Sequence, residues 1–120
     1  MGMFTVQRVK TGYRFNLKAG NGQIVASSPV WLTMEACVKA IGKVRACAGS
    51  PIEDQTGSTR VVCSLPKYVI YRNEKQLICF YLLDQDGEII IGGEDYTAKR
   101  SCKNGICSVE KNAPDAQILT

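Results

Sequence analysis

From residue 13 to residue 18, apolar Tyr13, Phe15 and Leu17 alternate with polar Arg14, Asn16 and Lys18. A period of two marks a strand with one face on a core and the other in water. Asn21-Gly22 follows, a dipeptide that favours a type I′ hairpin because both central residues need positive φ. A return strand is expected over 23–27 and an earlier one over 4–9, with Gly12 in the turn that opens the hairpin. The period then changes. Cys37, Ile41, Val44 and Ala48 fall on one stripe of a helix, with Thr33 as the expected N-cap and Gly49 as its stop.

The same pattern recurs 65 positions later. That shift lays Phe15 on Phe80, Leu17 on Leu82, Gly22 on Gly87, Ile24 on Ile89, Cys37 on Cys102, Ile41 on Ile106 and Val44 on Val109. Trp31 falls on Tyr96, aromatic in both copies. Identities in this order on strand, turn and helix positions indicate a duplication. In the second copy the expected strands are 68–72 and 88–92, with Asn73-Glu74-Lys75 in the first turn and Asp86-Gly87 in the second. Thr97 is the expected N-cap of its helix, and Asn112-Ala113-Pro114 the terminator. Bringing Pro51 onto Pro114 requires two extra residues in the first copy. A short last strand is expected to close each unit, over 60–64 and 117–119, with the polar run 50–59 as a linker. The pattern predicts an α+β fold. One domain over 1–120 is built from two β-β-β-α-β repeats, 1–64 and 65–120, each with a helix packed on a sheet.

The second copy's run Asp86-Gly87-Glu88-Ile89-Ile90, then Tyr96-Thr97, Asn104-Gly105-Ile106-Cys107-Ser108-Val109 and Asn112-Ala113-Pro114 resembles the YegP-like family. These are small bacterial proteins of uncharacterised function, built from one or two such repeats. The similarity covers most of the chain, strongest in 80–116 and weaker in 13–51. There Leu17-Lys18-Ala19-Gly20-Asn21-Gly22 fits the family's hairpin, whereas Ala40-Ile41-Gly42-Lys43-Val44 stands where the pattern has Asn-Gly-Ile-x-Ser-Val. The resemblance implies that the two repeats form one mainly antiparallel sheet with the helices packed on it, the last strand of each repeat being exchanged into the other half. It implies no catalytic residues.

Composition adds limits. At 120 residues, 45% apolar and 22% charged, the chain has the make-up of one globular domain. No apolar run approaches the roughly 18–20 residues that span a bilayer. The first residues lack the apolar stretch of an export signal, and Val6 stands where a myristoylated start needs Ser or Thr. The expected location is cytoplasmic, away from membranes. Cys37, Cys47, Cys63, Cys79, Cys102 and Cys107 are spread through apolar, periodic segments, so they are expected as reduced, buried thiols. Residues 1–60 carry eight Lys/Arg against Glu35, Glu53 and Asp54, a net +5, and residues 61–120 seven against eight acids, a net −1.

Histidine is absent from the sequence. That removes Ser-His-Asp and Cys-His nucleophilic schemes and His-based general acid–base work. No Cys-x-x-Cys occurs, so no zinc or iron–sulfur site is expected. Asp84, Asp86, Glu88, Glu94 and Asp95 cluster in sequence; the expected roles are a turn for Asp86 and solvated loops or a helix N-terminus for the others, rather than a cation site. Glycine-rich phosphate loops are missing too. The sequence therefore predicts no catalytic, cofactor-binding or metal-binding residues and no cofactor.

Two surfaces remain as candidates. Arg8, Lys10, Arg14 and Lys18 in the basic first repeat are candidate polyanion contacts, near Tyr13, whose parity with Phe15 points its ring to the core. The positions matching Arg14, Asn16 and Lys18 in the second copy are Cys79, Tyr81 and Leu83, and Val69, Tyr71 and Ile90 extend that apolar set. A strand apolar on both faces is either covered on both sides or offers a contact surface. The expected function is a non-enzymatic module that binds a protein, or a second copy of itself, through this patch. Nucleic-acid binding by the basic residues is the alternative.

Overall fold

A computed structural model describes residues 2–58 and 61–120. The first repeat contributes β1 (Met3–Val9), β2 (Gly12–Lys18), β3 (Ile24–Ser27), α1 (Met34–Cys47) and β4 (Ile52–Asp54). The second contributes β5 (Lys67–Arg72), β6 (Ile78–Leu83), β7 (Ile89–Gly92), α2 (Lys99–Asn112) and β8 (Gln117–Leu119). All strands join one sheet in the order β4-β5-β6-β7-β3-β2-β1-β8. The interior pairings are antiparallel. The two outermost, β4 on β5 and β8 on β1, are parallel and join different repeats. The last strand of each repeat thus lies in the other half, as the resemblance implied.

Both helices cover one side of the sheet. Cys37, Ile41 and Val44 of α1 and Cys102, Ile106 and Val109 of α2 are fully buried with Phe4, Phe15, Leu17, Tyr68, Phe80 and Leu82. Each helix also crosses the repeat boundary, α1 packing on β7 and α2 on β3. Trp31 and Tyr96 are equivalent in place as well as in sequence, one bridging Tyr13 and the other Ile78. Thr33 caps α1 as expected, its hydroxyl accepting the Ala36 amide at 3.1 Å. The cap of α2 is Ala98 rather than Thr97, with no side-chain bond. Among the described residues no helix is long and apolar enough to cross a membrane.

Four expectations need correction. The hairpins at Asn21-Gly22 and Asp86-Gly87 are not type I′, since only the glycines have positive φ, +85° and +82°. Gly22 N–H bonds the Ala19 carbonyl and Gly87 N–H that of Asp84, so a type I turn precedes a glycine in the left-handed region. The run 50–59 is not merely a linker, for it contains β4. Of the strand expected over 60–64, residues 61–64 carry none and Arg60 lies outside the described residues. Pro51 and Pro114 are not equivalent: the Pro51 carbonyl, just before β4, accepts Tyr68 N–H, whereas Pro114 lies in the turn after α2.

Side chains fasten the exchanged strands. The Tyr68 hydroxyl donates to the Ala48 carbonyl at 2.7 Å, where α1 ends and the chain turns toward β4. In the other half the Arg45 guanidinium donates to the Ala116 carbonyl just before β8 and lies 5.7 Å from the Phe4 ring. Asp54 on β4 pairs with Lys99 of α2 at 2.8 Å.

Candidate interaction face

The side of the sheet away from the helices is built in rows, because directly opposed residues of neighbouring strands share a face. One row crosses the whole sheet: Glu53, Val69, Tyr81 and Gly92 in one half, then Ser27, Asn16, Thr5 and Leu119 in the other. On one side of it lie Tyr71 beside Cys79, matched in the first half by Gln7 beside Arg14. On the other lie Lys67, Leu83 and Ile89, matched by Met3, Lys18 and Ile24. The two halves share geometry and differ in chemistry.

Not all of the expected patch is accessible. Ile90 is fully buried in the helix-side core. A bulge between Leu82 and Leu83 inserts it, so that Ile91 opposes Leu82 and Ile89 opposes Leu83. Ile89, 45% exposed, takes the place that simple alternation gave to Ile90. The first repeat has the same shift between Leu17 and Lys18. Val69 is 1% exposed and Cys79 4%. Beside Val69, the Glu53 carboxylate holds the Cys63 N–H at 2.9 Å and Lys67 Nζ at 2.8 Å, drawing the segment before β5 against this edge. Cys79 Sγ lies 3.1 Å from Asp95 Oδ1 and 3.4 Å from Asn73 Nδ2. Burial, then the Asp95 carboxylate, raises the Cys79 thiol pKa, which holds it as an unreactive thiol.

Tyr71, Tyr81 and Leu83 remain half-buried. The two tyrosine rings meet at a centroid distance of 5.2 Å, tilted by 46°. With the exposed Ile89 they form an apolar strip. In the first half Tyr71, Tyr81 and Leu83 are matched by polar Gln7, Asn16 and Lys18 and Ile89 by Ile24, and Asn16 is itself buried, receiving the Ser27 hydroxyl at 2.6 Å.

The basic residues do not share one surface. Arg14 and Lys18 lie on the open face, while Arg8 is paired with Tyr13, whose ring packs against the core, and so lies on the helix side. Lys10 stands in the turn between β1 and β2. The acidic residues separate as well. Asp84, not Asp86, makes the turn: it is buried, and its Oδ1 accepts the Asp86 and Glu88 N–H groups at 2.9 and 3.0 Å. Its other oxygen binds Lys43 Nζ at 3.1 Å. Burial works against its ionisation, but these donors outweigh it and hold its pKa below the ordinary value. The first turn of α2 holds no acid. Among the described residues, no three Cys, Asp or Glu side chains converge in a way that would hold a metal ion. The bulge, the Asp84 turn and the apolar loop at Val30, Leu32 and Met34 were not anticipated. That loop is exposed, and the equivalent 95–99 is mostly polar.

Fold and face define the class: a tandem α+β repeat closed on itself by exchanged strands, helices on one side of its sheet and the other side open. Residues 10–54 and 78–119 match the family described as "Domain of unknown function (DUF1508)", and the chain belongs to that family. A relative, the UPF0339 protein YegP of Yersinia pestis, is 32% identical over 113 residues, covering 93% of this chain and 88% of that protein. A UPF0339 protein of Treponema denticola is 43% identical over 53 residues, 44% of this chain and 91% of its own length. Nearly all of that protein therefore aligns with less than half of this chain. The solution structure of Escherichia coli YegP, a protein of unknown function, has a TM-score of 0.79 at 23% identity, covering 98% of this chain and 90% of that one. It shares the fold. The family's function is not established.

Proposed function

We propose that this protein is a non-enzymatic interaction module that binds protein through the open sheet face of its second repeat. The observation carrying this reading is the contrast between halves of one sheet. Tyr71, Tyr81 and Leu83 stand where the first half has Gln7, Asn16 and Lys18, beside an isoleucine common to both halves, Ile89 and Ile24. Packing alone gives no reason for aromatic rings on a face the helices do not cover, and partly buried tyrosines are enriched at interfaces. The absence of histidine from the sequence supports the non-enzymatic part.

The polyanion alternative has less support, since Arg8 and Arg14 lie on opposite faces of the sheet. Raising salt separates the two readings, because polyanion binding falls steeply with ionic strength and apolar contact does not. The direct test is Tyr81→Lys with Leu83→Lys in one chain. The expected result is a native circular dichroism spectrum and a melting temperature near wild type, with association lost. Unfolding of this variant would assign both side chains to the core and end the proposal.

A further inference from the structure

The second hairpin of each repeat leans on the helix of the other, because α1 packs on β7 and α2 on β3. The shift of 65 positions therefore relates two clefts on the helix side of the sheet, one between the 84–88 turn and α1, the other between the 19–23 turn and α2. The first is bridged, Lys43 Nζ reaching Asp84 Oδ2 at 3.1 Å. The equivalent residues in the second are Ser108 and Ala19, a short hydroxyl and a methyl, which cannot form that bridge. A hollow of about 300 Å³ stays open there, lined by Asn21, Gln23, Glu94, Tyr96, Gly105 and Ser108, with Val25 adding apolar surface. In the bridged cleft the hollow is smaller, about 220 Å³, and has moved along α1 to Ala46, Cys47 and Pro66, away from Trp31 and Ala40. The aromatic residues differ in the same sense. Trp31 keeps its indole Nε1 buried and, among the described residues, unpartnered. Tyr96 stacks on Phe80 with centroids 6.4 Å apart at 16°, and its hydroxyl rests against Gly105, where the first repeat has the buried Ala40. A Cβ at position 105 would collide with that oxygen. The glycine admits the hydroxyl to the wall of the cleft.

We propose that the cleft between the 19–23 turn and α2 binds a small neutral polyhydroxy ligand of monosaccharide size. The site lies on the helix side of the sheet and is independent of the open face. Its chemistry selects the ligand. The Asn21 and Gln23 carboxamides and the Ser108 and Tyr96 hydroxyls can each donate and accept, and Glu94 accepts. Asn21 Oδ1 already takes the Gln23 N–H at 3.0 Å, which leaves its Nδ2 to donate outward. The hydroxyls of a sugar also do both, so one ligand can pair with all of these groups, while Val25 and the Tyr96 ring meet its C–H surface. Glu94 is the charged residue of the lining, and a carboxylate there disfavours phosphate and other anions. It is also exposed, so an ion pair with it contributes little to holding a cation. A flat apolar ligand would leave the amides and hydroxyls without partners. The volume stands at the lower end of the roughly 300–1,000 Å³ of small-molecule sites, which fits one sugar ring rather than a nucleotide.

The experiment is amide proton–nitrogen correlation spectroscopy of the whole chain, titrated with D-glucose, D-galactose and D-mannose, and separately with inorganic phosphate and putrescine. At least one sugar should shift the amides of Asn21, Gly105 and Ser108 in a saturable way, and the two charged probes should not. Tyr96→Phe keeps the ring on Phe80 but removes the hydroxyl, and should weaken that binding by about three- to tenfold. Ala19→Asp with Ser108→Lys copies the Lys43–Asp84 bridge into the open cleft. This variant should keep the wild-type spectrum away from the cleft and bind none of the sugars. The proposal is overturned if none of the sugars moves these amides, or if phosphate or putrescine moves them more than any sugar does. It is equally overturned if the bridged variant, folded, binds sugar as wild type does. Should the bridged variant unfold, Tyr96→Phe decides, and unchanged sugar affinity in that chain removes the cleft as the site.

Discussion

Gln76 stands where Gly22 and Gly87 stand in the other two turns. Its N–H bonds the Asn73 carbonyl as theirs bond Ala19 and Asp84, and its φ of 65° is the positive value among non-glycine residues described. Asn73 Oδ1 secures this turn by accepting the Lys75 and Leu77 N–H groups at 2.9 and 3.1 Å. A side chain in the left-handed region crowds its own carbonyl, which glycine avoids, though glycine forfeits more chain entropy on folding. The exposed Gln76→Gly is therefore expected to stabilise the fold by about 0.5–1 kcal/mol, read as a higher denaturant midpoint at unchanged slope. Asp84 and Ala19 show how little of this was readable locally. They occupy equivalent places in the two repeats and both head a type I turn, yet one is a buried carboxylate and the other has no polar group. The dipeptides Asn21-Gly22 and Asp86-Gly87 announced the hairpins. The turn type depended on hydrogen bonds reaching two and four residues along the chain.

At the scale of elements, β4 is the instructive strand. Only three residues long, it reads in sequence as a polar linker, because two of its three side chains are acids serving other elements. The period-2 signal that revealed β2 and β6 needs more residues than that, and the partner of β4 belongs to the other repeat. Its acids also set a pH dependence. The Lys67 ammonium first, then Gln55 and the Cys63 N–H, lower the Glu53 carboxyl from 4.5 to about 2. For Asp54 burial opposes ionisation, but Lys99 and two bonds from Thr56 outweigh it and lower it from 3.8 to about 2. A carboxyl whose folded pKa lies below its unfolded value stabilises the fold above the unfolded value, and that contribution is lost as pH falls through the folded one. Stability is expected to drop between pH 4.5 and about 2, and Glu53→Gln should flatten that drop in denaturant midpoints measured against pH. The helices were legible throughout, since Cys37, Ile41 and Val44 keep one stripe and the structure buries that stripe. The candidate patch was legible in its strands. It was misassigned at Ile90 because an inserted residue reverses the alternation that the assignment relied on.

For the molecule as a whole, burial sorts the thiols. Cys37, Cys47, Cys79 and Cys102 are buried, Cys63 is half-buried and Cys107 is exposed on α2, a departure from the expectation that all six would be inside. Burial raises the Cys37, Cys47 and Cys79 pKa values and pushes that of Cys102 up to about 11. Because the thiolate is the reacting form, a thiol reagent added to the native protein should modify Cys107 first and Cys63 more slowly. The other four should react only after denaturant is added, as counted by intact mass. Rapid native modification at any of the four would contradict the packing described. The exchanged strands carry a last consequence, for the order of assembly during synthesis. On leaving the ribosome the first repeat cannot place β4, since β5 is not yet made, and the open side of β1 waits for β8, the final strand in the chain. The pairing of Met3 with Gln117 joins nearly the full length of the sequence, and contacts so distant along a chain form slowly. A nascent first repeat therefore carries an unfilled sheet edge until translation of the second is complete, and the duplication makes each repeat the template on which the other finishes folding.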